Sequence, residues 1–245
     1  MQATPDKDRR SILSFLAVNG VATSAELQAA IGKSQPFVSR LLTAMSSDVL
    51  TLGRGKTTRY GLPKSILGRP AQQPVFWVDE AGTATEIGLL SFLAGNWIHV
   101  DGPPVQGLVQ GELPWFLSPL RSQGFLGRLL AQRLSVVGLD SNPDRWQVES
   151  VLFAAINLHD APGAIVLGEP PTAATHAPLP ANPKALLAAL DALSADVAKT
   201  LPAGWYAGGE QPKFIAIRDS GEHVLVKFTP PRGTPFGERW HDLLV

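Results

Sequence analysis

The chain of 245 residues contains no cysteine. A disulfide framework, a thiolate metal site and a cysteine nucleophile are therefore excluded, and the composition fits a reducing compartment. A long apolar run is also missing. The most apolar window, around "IGLLSFLAGNWIHV", is broken by Gly95, Asn96 and His99, well short of the roughly 20 residues that a membrane-spanning helix needs. The opening "MQATPDKDRR" has no signal-peptide core. These absences point to a cytoplasmic protein with no membrane partner. The five histidines, at 99, 159, 176, 223 and 241, lack ligand-like spacing, so no metal site is expected from them.

What is present describes a packed globular chain: 44% of residues are hydrophobic and only 17% charged, while 21 prolines and 23 glycines imply many turns. The length leaves room for two or three compact units. Net charge is zero, but it divides unevenly. Residues 1–70 hold ten Lys/Arg against four Asp/Glu, and the remainder holds eleven against seventeen, so a +6 end is joined to a −6 body. Such a division suits a chain that meets a polyanion at one end.

Residues 1–64 read as a winged helix-turn-helix. "DKDRRSILSFLAVNG" puts Ile12, Leu13, Phe15 and Leu16 on one broad helical face before Gly20, which suits a C-terminal cap. In "TSAELQAAIG", Thr23 and Glu26 have capping-box spacing. Ser34 can cap "QPFVSRLLTAM", with Pro36 in the first turn and Val38, Leu41, Leu42 and Met45 inward. "VLTLGRGKTTRYGL" then reads as two strands around a glycine-bearing tip, a wing. In such a domain the third helix enters the major groove, so Gln35, Ser39, Arg40 and Thr43 face bases, while Arg54, Lys56 and Arg59 on the wing meet phosphate. DNA is the expected partner of this end. On a winged helix used only for protein contacts, the same charges are an ordinary solvated surface.

"PKSILGRPAQQPV" is proline-rich without periodicity, so 65–74 is expected to be a linker. Residues 75–172 follow with strands at "VFWVDE", "TEIGLLSFL" and "NWIHVDGPPVQG", helical segments with "LPWFLSPLRSQGFLGRLLAQRL" and "RWQVESVLFAAINLHD", and a buried strand at "GAIVLGEP". His159 with Asp160 is read as a helix-end cap, and Phe76, Trp77, Trp97, Trp115, Phe116 and Phe125 as core packing rather than a ligand cage. In 173–245, a Pro/Ala stretch leads to Asn182, which caps a helix beginning at Pro183. "WYAGGEQPKF" comes next. Gly208 and Gly209 allow backbone N–H groups to approach an anion, and Lys213 adds charge beside them. "KFIAIR", "DSGE" and "HVLVKF" read as a hairpin that carries Lys227 among apolar neighbours, where an ammonium needs an anion.

A glycine loop followed fourteen residues after its lysine by a strand lysine is the pattern with which protein kinases cover and grip ATP. "AGGEQPKF" resembles the glycine-rich loop of the HipA family of serine/threonine kinase toxins, and "LVKF" its ATP-lysine strand. "FWVDE", "LPWFLSPLRSQGFLGR" and "GAIVLGEP" resemble that family's N-terminal subdomain, in the YjjJ-like branch with a winged helix-turn-helix in front. The resemblance implies an α+β architecture: winged helix-turn-helix, HipA-like N-terminal subdomain at 75–172, then a linker helix and the start of a kinase-like N-lobe. It implies ATP as cofactor, held by Gly208, Gly209, Glu210, Gln211, Lys213 and Lys227. A protein substrate and an antitoxin or C-terminal kinase partner are implied as well.

Two departures qualify it. Tyr206 and Ala207 stand where many members have a phosphorylatable serine. After Lys227 the sequence gives "TPPRGTPFGERWHDLLV" and no catalytic Asp or metal-binding Asp/Asn of a kinase C-lobe. The chain is thus expected to be a truncated or split piece with no catalytic residue, inactive alone, and to use Mg only with the missing half. The alternative is a DNA-binding transcriptional regulator or antitoxin-like protein that keeps the N-terminal subdomain as an interaction module.

Overall fold

A computed structural model describes residues 3–79, 83–103, 105–156, 164–169, 178–199, 213–218, 220–221 and 223–227. Along the chain run α1 (Ala3–Asn19), β1 (Val21–Ala22), α2 (Ser24–Ile31), α3 (Gln35–Ala44), β2 (Leu50–Leu52) and β3 (Arg59–Gly61). Next come β4 (Gln72–Val78), β5 (Ala84–Leu93), β6 (Trp97–Asp101), β7 (Gly107–Gln110), α4 (Gly124–Leu134), α5 (Val148–Ile156) and β8 (Ile165–Leu167). They are followed by α6 (Pro183–Lys199), β9 (Lys213–Ile217) and β10 (His223–Lys227). The architecture is mixed α and β, with antiparallel sheets. The described residues form two compact units, one drawn from Met1–Arg121 and Trp146–Pro171, the other from Ser122–Arg145 and Thr172–Val245.

The first unit begins with three helices around one core. Ile12 and Leu16 of α1, Leu27 of α2 and Val38 of α3 are fully buried together with Met45. The end of α1 and the start of α2 follow from local chemistry. Gly20 takes φ +75° and donates its N–H to Leu16 O at 2.7 Å, closing α1 in a conformation that costs glycine little. At α2, the Glu26 N–H donates to Thr23 Oγ1 (3.2 Å) and the Thr23 N–H to Glu26 Oε2 (2.7 Å), a reciprocal capping box. Ser34 occupies the N-cap position of α3, but its side chain makes no capping hydrogen bond. β2 and β3 pair around the tip, and β1 takes the other side of β3, giving the order β1-β3-β2.

The larger sheet has the order β7-β6-β5-β4-β8. Its buried face is built from cross-strand pairs, Phe92 with Ile98 and Leu90 with Val100, all fully buried. A bulge between Val75 and Phe76 shifts the β4–β5 register, and β8 pairs with β4 from Val75↔Leu167 to Trp77↔Ile165. α5 presents Val148, Val151, Leu152 and Ala155 to the interior. Before the sheet, the chain expected to be a linker carries a buried Ile66 whose N–H and C=O both bond Arg69 at 3.0 Å, and Ala71 O accepts from the Phe92 N–H at 2.8 Å.

In the second unit, Asn182 Oδ1 accepts from the backbone N–H groups of Lys184 (3.0 Å) and Ala185 (3.2 Å), which caps α6 as the sequence indicates. β9 and β10 form an antiparallel hairpin, with Gly221 at φ +83° in its turn.

Candidate nucleic-acid interface and nucleotide cradle

α3 turns Val38 and Leu42 into the core, which leaves positions 35, 39, 40 and 43 on the opposite face. Gln35, Ser39, Arg40 and Thr43 are all exposed there. Two of them use the helix itself as support: Arg40 Nε donates to Pro36 O at 3.3 Å, and Thr43 Oγ1 to Ser39 O at 3.0 Å. Between β2 and β3 the tip turns through Gly53 (φ +71°) and Gly55 (φ +63°), and Thr57 Oγ1 donates to Arg54 O at 3.0 Å. Arg54, Lys56 and Arg59 are exposed on and beside that tip. Arg59 is near enough to Glu26 for its charge to act on the carboxyl. Glu26 is held below its ordinary 4.5 first by the Thr23 N–H and then by the Thr23 hydroxyl, with Arg59 adding to both.

The second group of expected residues is only partly described. Gly208, Gly209, Glu210 and Gln211 lie outside the described residues, as does the His159–Asp160 pair. The backbone of both lysines is described, and the hairpin register pairs Lys213 directly with Lys227. Lys213 opens β9 and Lys227 closes β10, so the pair sits at the end of the ribbon away from its turn, next in sequence to 208–212. Among the described residues no group of three or more His, Asp and Glu could hold a metal ion.

The aromatic residues divide in a way the sequence did not suggest. Phe116 is buried, but Trp77 is 49% exposed and Trp115 84% exposed, so these two are not core. Trp77 lies at the end of β4 beyond the bulge, and Trp115 begins a short turn of helix. Together with Ile87, Val105 and Phe116 they line an open apolar cleft of about 870 Å³. The ring of Trp115 meets Phe116 edge-on at 5.7 Å. Hydrophobicity alone could not place them outside, because strand ends and helix ends have no apolar period.

Residues 69–176 match the family described as YjjJ-like toxin, middle domain. That span contains the whole five-stranded sheet with α4 and α5. The chain is also 34% identical over 247 residues to Toxin YjjJ of Escherichia coli (strain K12), an alignment covering 96% of this chain and 55% of that protein. The chain therefore spans about half the length of the curated relative it matches. No solved structure matches it. Both candidate sites, the α3 face with its wing and the hairpin lysines, fall outside 69–176. No helix among the described residues is long and apolar enough to cross a membrane.

Proposed function

We propose that this chain is the N-terminal portion of a HipA-like serine/threonine protein kinase toxin of a bacterial toxin–antitoxin system, acting in the cytoplasm. In this reading residues 1–64 are a winged helix-turn-helix that binds DNA, and 173–245 begin the N-lobe that binds ATP. The similarity to Toxin YjjJ supports the toxin assignment. The hairpin register that pairs Lys213 with Lys227 carries the nucleotide assignment.

The chemistry asked of these residues is electrostatic. Phosphoryl transfer proceeds by positioning and by neutralising charge on the phosphates. In this reading Lys213 and Lys227 supply that charge, and Gly208 and Gly209, which carry no side chain, suit a loop that offers backbone N–H donors. Mg²⁺, the catalytic base, the protein substrate and any antitoxin contact belong to the remaining part of the kinase. The 245 residues alone are expected to bind nucleotide without transferring phosphate.

ATP should raise the melting temperature of this chain, and Lys227→Met should abolish that rise while leaving the nucleotide-free melting temperature within a degree or two. An unchanged rise would remove Lys227 from the site. Phosphate retained on a generic protein substrate by the isolated chain would refute its inactivity. One observation favours the second reading, a DNA-binding regulator that uses the sheet as an interaction module. The seven polar residues of α3 and the wing are all exposed, so the DNA contact in that reading needs nothing beyond β3.

A further inference from the structure

The three-helix module and the five-stranded sheet are hydrogen-bonded to each other without interruption. The Leu62 N–H donates to Gly20 O (3.3 Å), the Ala94 N–H to Leu62 O (2.8 Å) and the Lys64 N–H to Phe92 O (3.0 Å), so the chain leaving β3 lies as an extra rung beside the end of β5. From the sheet, Trp97 Nε1 donates back to Asn19 O, the last residue of α1, at 3.2 Å. Side chains close the same joint: Val21 and Leu52 of the small sheet share a buried cluster with Leu93 of β5, and Trp97 and Leu108 pack against it.

Two glycines of the module make this approach possible. A Cβ on Gly20 would stand 2.2 Å from Ala94 O and 2.4 Å from Trp97 Cδ1, and one on Gly61 would stand 2.8 Å from Leu93 Cδ1. Contact this close, with its own apolar core, is what separates a fused body from modules joined by a tether, for which relative motion is the ordinary state.

We infer that this joint is a coupling device: the module and the sheet open as one cooperative body, and an occupant of the α3–wing face stabilises the sheet by the same factor as the helices. An occupant that binds only the folded body multiplies the folded population by a single factor, and every amide that exchanges through global opening reports that factor. Stabilisation is reciprocal, so whatever binds the sheet must also favour the folded reading face. The inference rests on the DNA reading only for its probe.

The test is native-state hydrogen exchange on the full chain at rising urea, with and without a mixed-sequence duplex DNA at low salt. Core amides of α3 (Leu42) and β5 (Leu90) should converge on one urea dependence, and the duplex should slow both by the same factor. Separate urea dependences overturn the coupling, with or without DNA. Slowing confined to α3 also overturns it, while leaving DNA binding intact. If the duplex slows neither, the DNA reading fails, and the urea convergence alone decides the coupling. Gly20→Ala, which drives a methyl into Ala94, should split the single opening into two. Should that variant not fold, the wild-type comparison still gives the answer.

Discussion

The ammonium of Lys64 lies 2.5 Å from Glu149 Oε2, tying the chain between β3 and β4 to the first turn of α5 across 85 residues of chain. The other oxygen, Oε1, accepts from the Leu67 N–H at 3.4 Å, and Lys64 Nζ stands 5.2 Å from the centre of the Phe92 ring. The carboxylate thus holds the turn that contains Leu67, a residue at φ +47°. The pair is partly shielded, with side chains 41% and 21% exposed, so it should exceed an open surface bridge. Lys64→Met is expected to cost about 1 to 2 kcal/mol in urea unfolding. The loss should shrink in high salt. A salt-independent loss would assign the effect to packing against Phe92 rather than to charge.

The capping box of α2 gives a second measurable quantity. Thr23→Ala removes the acceptor for the Glu26 N–H and should lower stability by about 1 kcal/mol. Because the Thr23 hydrogen bonds hold the Glu26 pKa down in the folded state, the carboxylate's contribution is complete above 4.5 and is lost as pH falls through the depressed folded value. Glu26→Gln should flatten that part of the acid profile. If wild type and variant lose stability in parallel between pH 5 and 3, the box does not form in solution.

Helix ends were readable because their chemistry is local. Thr23 with Glu26 and Asn182 with the N–H groups of 184 and 185 bond across two or three residues, so spacing alone decides them. Ser34 marks the limit of that rule: it stands at the N-cap without making the bond. Strand partners were readable where one short turn joins them, as in β2 with β3 and β9 with β10, but not across longer stretches of chain. β1 has two residues and therefore no period, and its pairing with Gly61 and Tyr60 is settled by the fold of the whole module. The bonds from 62–71 to β5 likewise depend on Phe92 and Ala94, which lie more than twenty residues on, so composition suggested only a tether. Gly20 was legible as a helix end but not as the point where Ala94 and Trp97 approach.

His99 provides a pH handle within the sheet. On β6 it pairs with Ser91 of β5 and Leu108 of β7, and burial pushes its pKa below the ordinary 6.5, with Asp101 pulling the other way. A histidine depressed in the folded state binds its proton less readily there than in the unfolded chain. Stability should therefore be full above about 6.5 and fall as pH drops from there to the folded pKa, below which the penalty is complete. His99→Gln should remove the slope in that window. Asp101→Asn should strengthen it, because the opposing charge of Asp101 is gone. A wild-type melting temperature that stays level from pH 7.5 to 5.5 would contradict the burial of the charged form.

The α3 face and the wing should fail in different ways if they read DNA. In that case Arg54, Lys56 and Arg59 on the wing are expected to meet phosphate, so replacing any one by Ala should weaken all sequences alike. Each change should lower the slope of log affinity against log salt by about 1. Gln35 and Arg40, exposed on α3, are expected to meet base edges, and their replacement by Ala should cost about 1 to 3 kcal/mol on a preferred site with little change on random duplex. Arg59 differs from its neighbours because Glu26 already feels its charge. Part of that charge is spent inside the protein, so Arg59→Ala should reduce the salt slope less than Arg54→Ala or Lys56→Ala. Filter binding of the three variants at several salt concentrations measures this order. Equal slopes for all three would mean that Glu26 releases Arg59 when DNA binds.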